Sequence, residues 1–215
     1  KFKLPNSRQI FQLPSDGLIY ACFNNPIKIT PIEFNIWSNI LIKIENSYLW
    51  LLSTNDIFKE NILSEINKKN IDPKRIIFAP VMPHDEHIER LKLADIFLDC
   101  FNYNAHTTAS DALWVGLPVI TKQGNQFAAR VASSLLSALD LNELVTQTED
   151  EYEKMIIDYA SQPIKLKEIR EKININKKSK PLFDTLQYTR DFELAMIKVN
   201  DLHLNGKKPM DIIFD

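Results

Sequence analysis

The feature that most constrains this chain is an alternation. Six short, nearly all-apolar runs are each followed by a stretch with helical spacing. The runs occupy residues 18–23, 48–52, 75–79, 95–99 and 118–121, with a weaker sixth at 143–145. A strand that is apolar at almost every position has both faces covered, the signature of a parallel sheet with helices on either side. Parallel neighbours require long crossover connections, and the intervening segments supply them. Thr30, Pro31 and Glu33 combine a capping hydroxyl, a proline at the first helical position and a glutamate three residues after the cap. Ile36, Trp37, Ile40, Leu41 and Ile44 then keep one apolar face. Further helices are predicted over 56–69, 83–93, 107–115 with Gly116 as the stop, 126–139 and 149–160. A lysine-rich helix over 163–178 and a long final one over 184–203 complete the chain.

The expected fold class is α/β: a doubly wound, Rossmann-like parallel sheet. Residues 1–160 would form the α/β unit, and 161–215 a set of C-terminal helices packed on it. With strand order 3-2-1-4-5-6, strands one and four meet at the topological switch point, and ligands bind there, outside the carboxyl ends of the strands. Composition removes several functions. Lys plus Arg total 26 against 28 for Asp plus Glu, a formal charge of -2, which argues against a dedicated nucleic-acid binder. No apolar run approaches the roughly 18–20 residues of a membrane helix. Cys22 and Cys100 are too few for a disulfide scaffold, are not spaced as a zinc site, and fit a reducing, cytoplasmic setting. Glu168 and Glu171 interleave the lysines of 163–178, so that helix reads as a solvated face. A start at Lys1 instead of Met reads as a piece cut from a longer protein, or one with a tag removed.

The 4 glycines, Gly17, Gly116, Gly124 and Gly206, cannot form G-x-G-x-x-G, a Walker A loop or a G-x-S-x-G elbow. Any phosphate must be held without a glycine cradle. The loop after the first strand carries Asn24, Asn25 and Lys28, a lysine placed either to neutralise a phosphate or to sit in solvent. The loop after the fourth runs from Asn102 through His106, Thr107 and Thr108 to Asp111, opening directly into a helix. Helix N-termini bind anions through free N–H groups and the positive dipole end. Two threonines there add hydroxyl donors, or one of them merely caps the helix. Asp111 is placed to accept from ribose hydroxyls or to complement the helix start. The loop after the third strand carries Met82, His84 and His87. The two histidines can share a helix face, but without H-E-x-x-H or a third ligand, base or ribose contact or a surface role is favoured over a metal. No serine or cysteine has a motif-level base partner, so the chain presents a binding face without an evident acid or base.

Several stretches carry a resemblance. They are Cys22-Phe23-Asn24 with Lys28, then Trp37-Ser38-Asn39-Ile40-Leu41 and Asn46-Ser47-Tyr48-Leu49-Trp50. Further on come Arg75-Ile76-Ile77-Phe78, Leu93-Ala94-Asp95, Ala129-Arg130-Val131-Ala132-Ser133-Ser134 and Pro181-Leu182-Phe183. The most specific is His106-Thr107-Thr108 with Asp111, Leu113, Trp114 and Gly116. Over residues 8 to 200 the chain resembles the carboxyl-terminal catalytic lobe of the O-linked N-acetylglucosamine transferase (SPINDLY-like) family.

The resemblance implies the donor-binding lobe of a two-lobed GT-B glycosyltransferase. Such an enzyme moves a sugar, N-acetylglucosamine, from a UDP-sugar to Ser or Thr hydroxyls of proteins, with inversion and with no metal or other cofactor. Lys28 would stabilise the departing diphosphate, with Asn25 nearby. Thr107 and Thr108 would bind the phosphates, His106 would lie near the sugar, and Asp111 would hold the ribose. His87 and the backbone at Met82 would hold the uracil, with His84 and Arg90 beside them. The chain departs from the family's common residues at Asn25 (often Gln), His84 (often Lys) and Ala109 (often Gly). An amino-terminal lobe and protein-selecting repeats are absent from this chain, so it is expected to be inactive alone. The final helix would pack toward that lobe, its free apolar face inviting self-association. The alternatives are a GT-B enzyme with a lipid or glycan acceptor, and a non-catalytic nucleotide-sugar-sensing or interaction module.

Overall fold

A computed structural model describes residues 8–213. Residues 1–7 and 214–215, the outer edges of the two expected units, lie outside the described residues. The strands are β1 (Leu18–Cys22), β2 (Ser47–Leu52), β3 (Ile76–Ala79), β4 (Ile96–Leu98), β5 (Val119–Lys122) and β6 (Val145–Thr146). All pair in parallel in the order β3-β2-β1-β4-β5-β6. Ile19 to Cys22 of β1 and all of β4 are buried, as strands covered on both faces must be.

The covering helices are α1 (Pro31–Lys43), α2 (Asp56–Lys68), α3 (His84–Leu91), α4 (Thr107–Trp114), α5 (Val131–Ala138), α6 (Glu149–Ser161) and α7 (Pro163–Asn176). The α1 start forms the expected capping box. Its Glu33 is fully buried and does more than cap: Oε1 accepts the Phe101 N–H at 2.8 Å, fastening α1 to the loop after β4. Gly116 ends α4 at φ +83°, and a Cβ there would lie 2.8 Å from the Asn174 side chain of α7. Arg170 of α7 donates to the carbonyls of Ala94 and Asp95. Leu166, Ile169 and Ile173 of α7 are buried. The last helix, α8 (Thr185–Leu204), buries none of its residues and presents Leu186, Tyr188, Phe192 and Ile197 to solvent.

One expected helix is corrected. Residues 126–139 do not form one continuous helix: a 3-10 turn, Phe127–Ala129, precedes α5, with Arg130 between them at φ -126°. The Ala128 carbonyl accepts the Asn104 N–H and the Ala129 carbonyl accepts the Gly124 N–H, both at 2.8 Å. Two acceptors that a continuous helix would use internally are held by tertiary partners.

Glu33→Ala should lower unfolding stability by about 2–3 kcal/mol, because it removes the reciprocal half of the capping box and strands the buried Phe101 N–H. Chemical denaturation of the variant checks this. A change within about 0.5 kcal/mol would show that the Glu33–Phe101 link is not structural.

Candidate donor site at the switch point

β1 and β4 are neighbours, so the loops that follow them face each other across one crevice. A short 3-10 turn, Pro26–Lys28, follows β1, and Asn25 caps it by accepting the Ile27 N–H at 3.2 Å. The turn carries Lys28 across the crevice, where Nζ donates to the Asn104 carbonyl at 2.9 Å and lies 3.8 Å from the centre of the Tyr103 ring. Thr108 crosses the other way, donating to Asn24 Oδ1 at 2.8 Å. Each loop thus lends a side chain to a residue four positions earlier in the other chain segment than that loop's own crossing group. Burial pulls Lys28 below the usual lysine range, while nearby Cys100, Asp99 and Cys22 push it back up.

Neither threonine caps the helix. His106 is the N-cap of α4 and forms no side-chain cap bond, and the Thr108 hydroxyl turns inward to Asn24. The first intrahelical bond runs from the Ser110 N–H to the His106 carbonyl. The N–H groups of Thr107, Thr108 and Ala109 therefore have no partner within α4. Thr107 is exposed there. The His106 ring stands between Tyr103 at 4.8 Å and Phe127 at 6.2 Å, forming an aromatic wall on the β5 side. A cavity of about 770 Å³ continues from Phe127 and Arg130 along α5.

On the β3 side, the segment containing Met82 leads into α3. His84 Nε2 lies 3.3 Å from Asp111 Oδ1, tying α3 to α4 beside the helix mouth. His87 packs its ring on Phe23 at 5.4 Å and accepts, at Nδ1, from Arg90 Nε and Nη2 at 3.1 and 2.9 Å. Arg90 is only 2% exposed; Nη1 donates to the Pro80 carbonyl at 2.6 Å and the guanidinium lies over the Phe23 ring. Arg90 is thus turned inward, with its guanidinium against the His87 ring. Burial and the Arg90 charge push His87 down to about 4, so its imidazole is neutral at pH 7.

Beneath the crevice lies Asp99, fully buried at the end of β4. Its Oδ1 accepts the Ala105 N–H at 2.5 Å, the Cys100 N–H at 2.8 Å and Asn24 Nδ2 at 3.3 Å, and Oδ2 accepts the Thr121 hydroxyl at 2.7 Å. Burial still raises it to about 7. Sequence reasoning did not single out Asp99, Asn24, Tyr103 or Asn104 as functional. The available signal was a carboxylate closing an otherwise apolar run. Among the described residues, no three His, Cys, Asp or Glu side chains gather closely enough to hold a metal ion, and no helix is long and apolar enough to cross a membrane.

The chain is thus a doubly wound parallel α/β lobe in which a lysine and a helix N-terminus face each other at the switch point. The family model for Glycosyl transferase family 41 matches residues 3–192, and the chain belongs to that family. It is 36% identical over 209 residues to the probable UDP-N-acetylglucosamine–peptide N-acetylglucosaminyltransferase SEC of Arabidopsis thaliana, covering 95% of this chain and 21% of that one. It is 37% identical over 190 residues to the UDP-N-acetylglucosamine–peptide N-acetylglucosaminyltransferase of Caenorhabditis elegans, covering 88% and 16%. The chain thus spans about a fifth of these relatives' length or less. Among solved structures, a K341M mutant of the Thermobaculum terrenum O-GlcNAc transferase superposes with a TM-score of 0.79 at 26% identity, covering 85% of this chain and 36% of that one.

His87 and Asp99 set opposite pH trends. The lowered His87 value means the unfolded chain takes up a proton first, so stability falls as pH drops from 6.5 to about 4. The raised Asp99 value means the folded chain keeps its proton longer, so stability falls as pH rises from 3.8 to about 7. His87→Gln should remove the acid-side loss and leave stability declining with rising pH across this window. Asp99→Asn should leave only the acid-side loss. Denaturant melts at pH 4.5 and 6.5 check both, and slopes unchanged by either substitution would show that neither group is so perturbed.

Proposed function

We propose that this chain is the donor-binding lobe of a glycosyltransferase that moves N-acetylglucosamine from UDP-N-acetylglucosamine to Ser or Thr hydroxyls of proteins. The observation that carries it is the facing pair at the switch point: the Lys28 ammonium against the loop that opens α4, with the free N–H groups of that helix beside it. The activities for which the relatives are named supply the sugar nucleotide and the protein acceptor. The diphosphate would lie over the mouth of α4, and Thr107 would add a hydroxyl. The nucleoside would extend toward His87, His84 and Asp111, and the sugar toward His106.

In the transfer step the acceptor oxygen attacks the anomeric carbon from the face opposite the nucleotide, which inverts the centre. The carbon–oxygen bond to the β-phosphate breaks, and its electron pair leaves with UDP. Charge then grows on the β-phosphate oxygens. Lys28 and the α4 mouth are fixed where that charge appears, so they stabilise the transition state more than the ground state. With the positive charge supplied by protein groups, the step needs no metal. The hydroxyl proton must go to a base, and the crevice of this lobe offers none in an evident position. Acceptor binding and proton removal are therefore assigned to regions outside this chain, and the lobe alone would bind donor without turning over.

Calorimetric titration with UDP-N-acetylglucosamine tests this. Lys28→Ala should weaken binding about tenfold or more. Excess chelator should leave the titration unchanged. A folded sample that binds neither UDP nor UDP-N-acetylglucosamine would overturn the assignment, and loss of binding on chelation would overturn the metal-free step.

A further inference from the structure

The walls of the crevice are not independently placed. Lys28 is anchored on the Asn104 carbonyl, and the next residue, Ala105, donates its N–H to Asp99 Oδ1. Thr108 is anchored on Asn24 Oδ1, and the same amide donates through Nδ2 to the same carboxylate oxygen. Both crossing contacts therefore converge on Asp99. Asn24 and Asp99 are 1% and 0% exposed, out of reach of a ligand.

Hydrogen-bond polarity makes the arrangement directional. Asp99 Oδ1 accepts the Ala105 and Cys100 N–H groups, which can only donate, so it meets Asn24 as an acceptor whether or not Oδ2 carries a proton. The Asn24 edge facing Asp99 must therefore be its NH2, which turns the amide oxygen to Thr108. Facing an oxygen acceptor, the Thr108 hydroxyl must donate inward. Its single proton is then committed, and only lone pairs remain on its outer side. Thr108 in this state cannot donate to a phosphate. The donors left at the mouth are the Thr107 hydroxyl, the first-turn N–H groups and the Lys28 ammonium. Thr108 serves as a strut that fixes the first turn of α4 against the end of β1.

We infer that Asp99 and Asn24 are positioning residues for the donor diphosphate, acting through a buried Asp99–Asn24–Thr108 relay that holds the α4 mouth and the Lys28 anchor in register. The inference rests on the donor-site assignment above and adds to it residues that never touch the ligand. Charge gives the relay a distinct signature. A buried carboxylate close to the diphosphate would, as a bare charge, repel it. Removing that charge should tighten binding if Coulomb repulsion dominates, and weaken it if positioning dominates.

Calorimetry with UDP-N-acetylglucosamine on wild type, Asp99→Asn, Asn24→Ala, Thr108→Val and the double variants decides between these. The relay predicts that each single change weakens binding about tenfold. Asn24→Ala combined with Thr108→Val should weaken it by about the same tenfold, not the roughly hundredfold of independent contributions. In ligand-free spectra, Asn24→Ala should shift the backbone amide resonances of Thr107, Thr108 and Ala109 while leaving β6 in place. Tighter binding by Asp99→Asn, unchanged binding by Asn24→Ala, or losses that multiply independently would overturn the relay. If Asp99→Asn does not fold, Asn24→Ala and its double variant carry the test, because Asp99 keeps three donors there. Wild type that binds no donor overturns the site assignment itself, whereas wild-type binding with unaltered variants overturns the relay alone.

Discussion

The two loops that meet at the switch point are tied together through one buried carboxylate. Asp99 has no solvent, and a lone charge so placed would be prohibitively unfavourable. Four donors reach it from four separate places: the end of β1, the start of its own loop, the approach to α4, and β5. Because the donors come from the loop after β1, the loop after β4 and strand β5, satisfying the carboxyl also fixes those pieces relative to one another. The Tyr152 hydroxyl bonds the Asp99 carbonyl at 3.1 Å and accepts from the Trp37 indole, so α1 and α6 are drawn into the same knot. The desolvation that lifts the carboxyl to about 7 is the measure of how far the fold goes to keep it there.

This arrangement answers a difficulty posed by the scarcity of glycine. Glycine-rich loops let backbone N–H groups approach a phosphate closely because no side chain intervenes. Here the loop after β4 contains no glycine and is shaped from beneath instead. Its conformation is dictated by bonds from Ala105, Cys100 and Asn104 into the interior, with the Asn104 amide donating to the Cys100 carbonyl at 2.7 Å. The loop gives up conformational freedom and gains a rigid mouth, which suits a site that must hold charge in a fixed geometry.

Local and alternating signals were readable from the amino-acid order alone. Thr30, Pro31 and Glu33 lie within one turn, so their capping box needs nothing from the rest of the chain. The apolar runs specify strands, and the strand order then follows the rule for doubly wound sheets. His106, Thr107, Lys28 and Asp111 were placed around one crevice because they sit on the loops that such an order brings together. What escaped was set by partners distant in sequence. The inward turn of Thr108 is decided by Asn24, 84 residues earlier. The break before α5 is decided by Asn104 and Gly124 taking the Ala128 and Ala129 carbonyls. The burial of Arg90 follows from Phe23 and Pro80, neither of which is visible from the spacing of α3.

The 20 residues of α8 stand apart from this economy. None of its residues is buried, and Asp184 caps it by accepting the Gln187 N–H at 3.0 Å. The protein therefore has two tiers of packing: a crevice tied from below through Asp99, and a final helix whose apolar side chains remain in solvent.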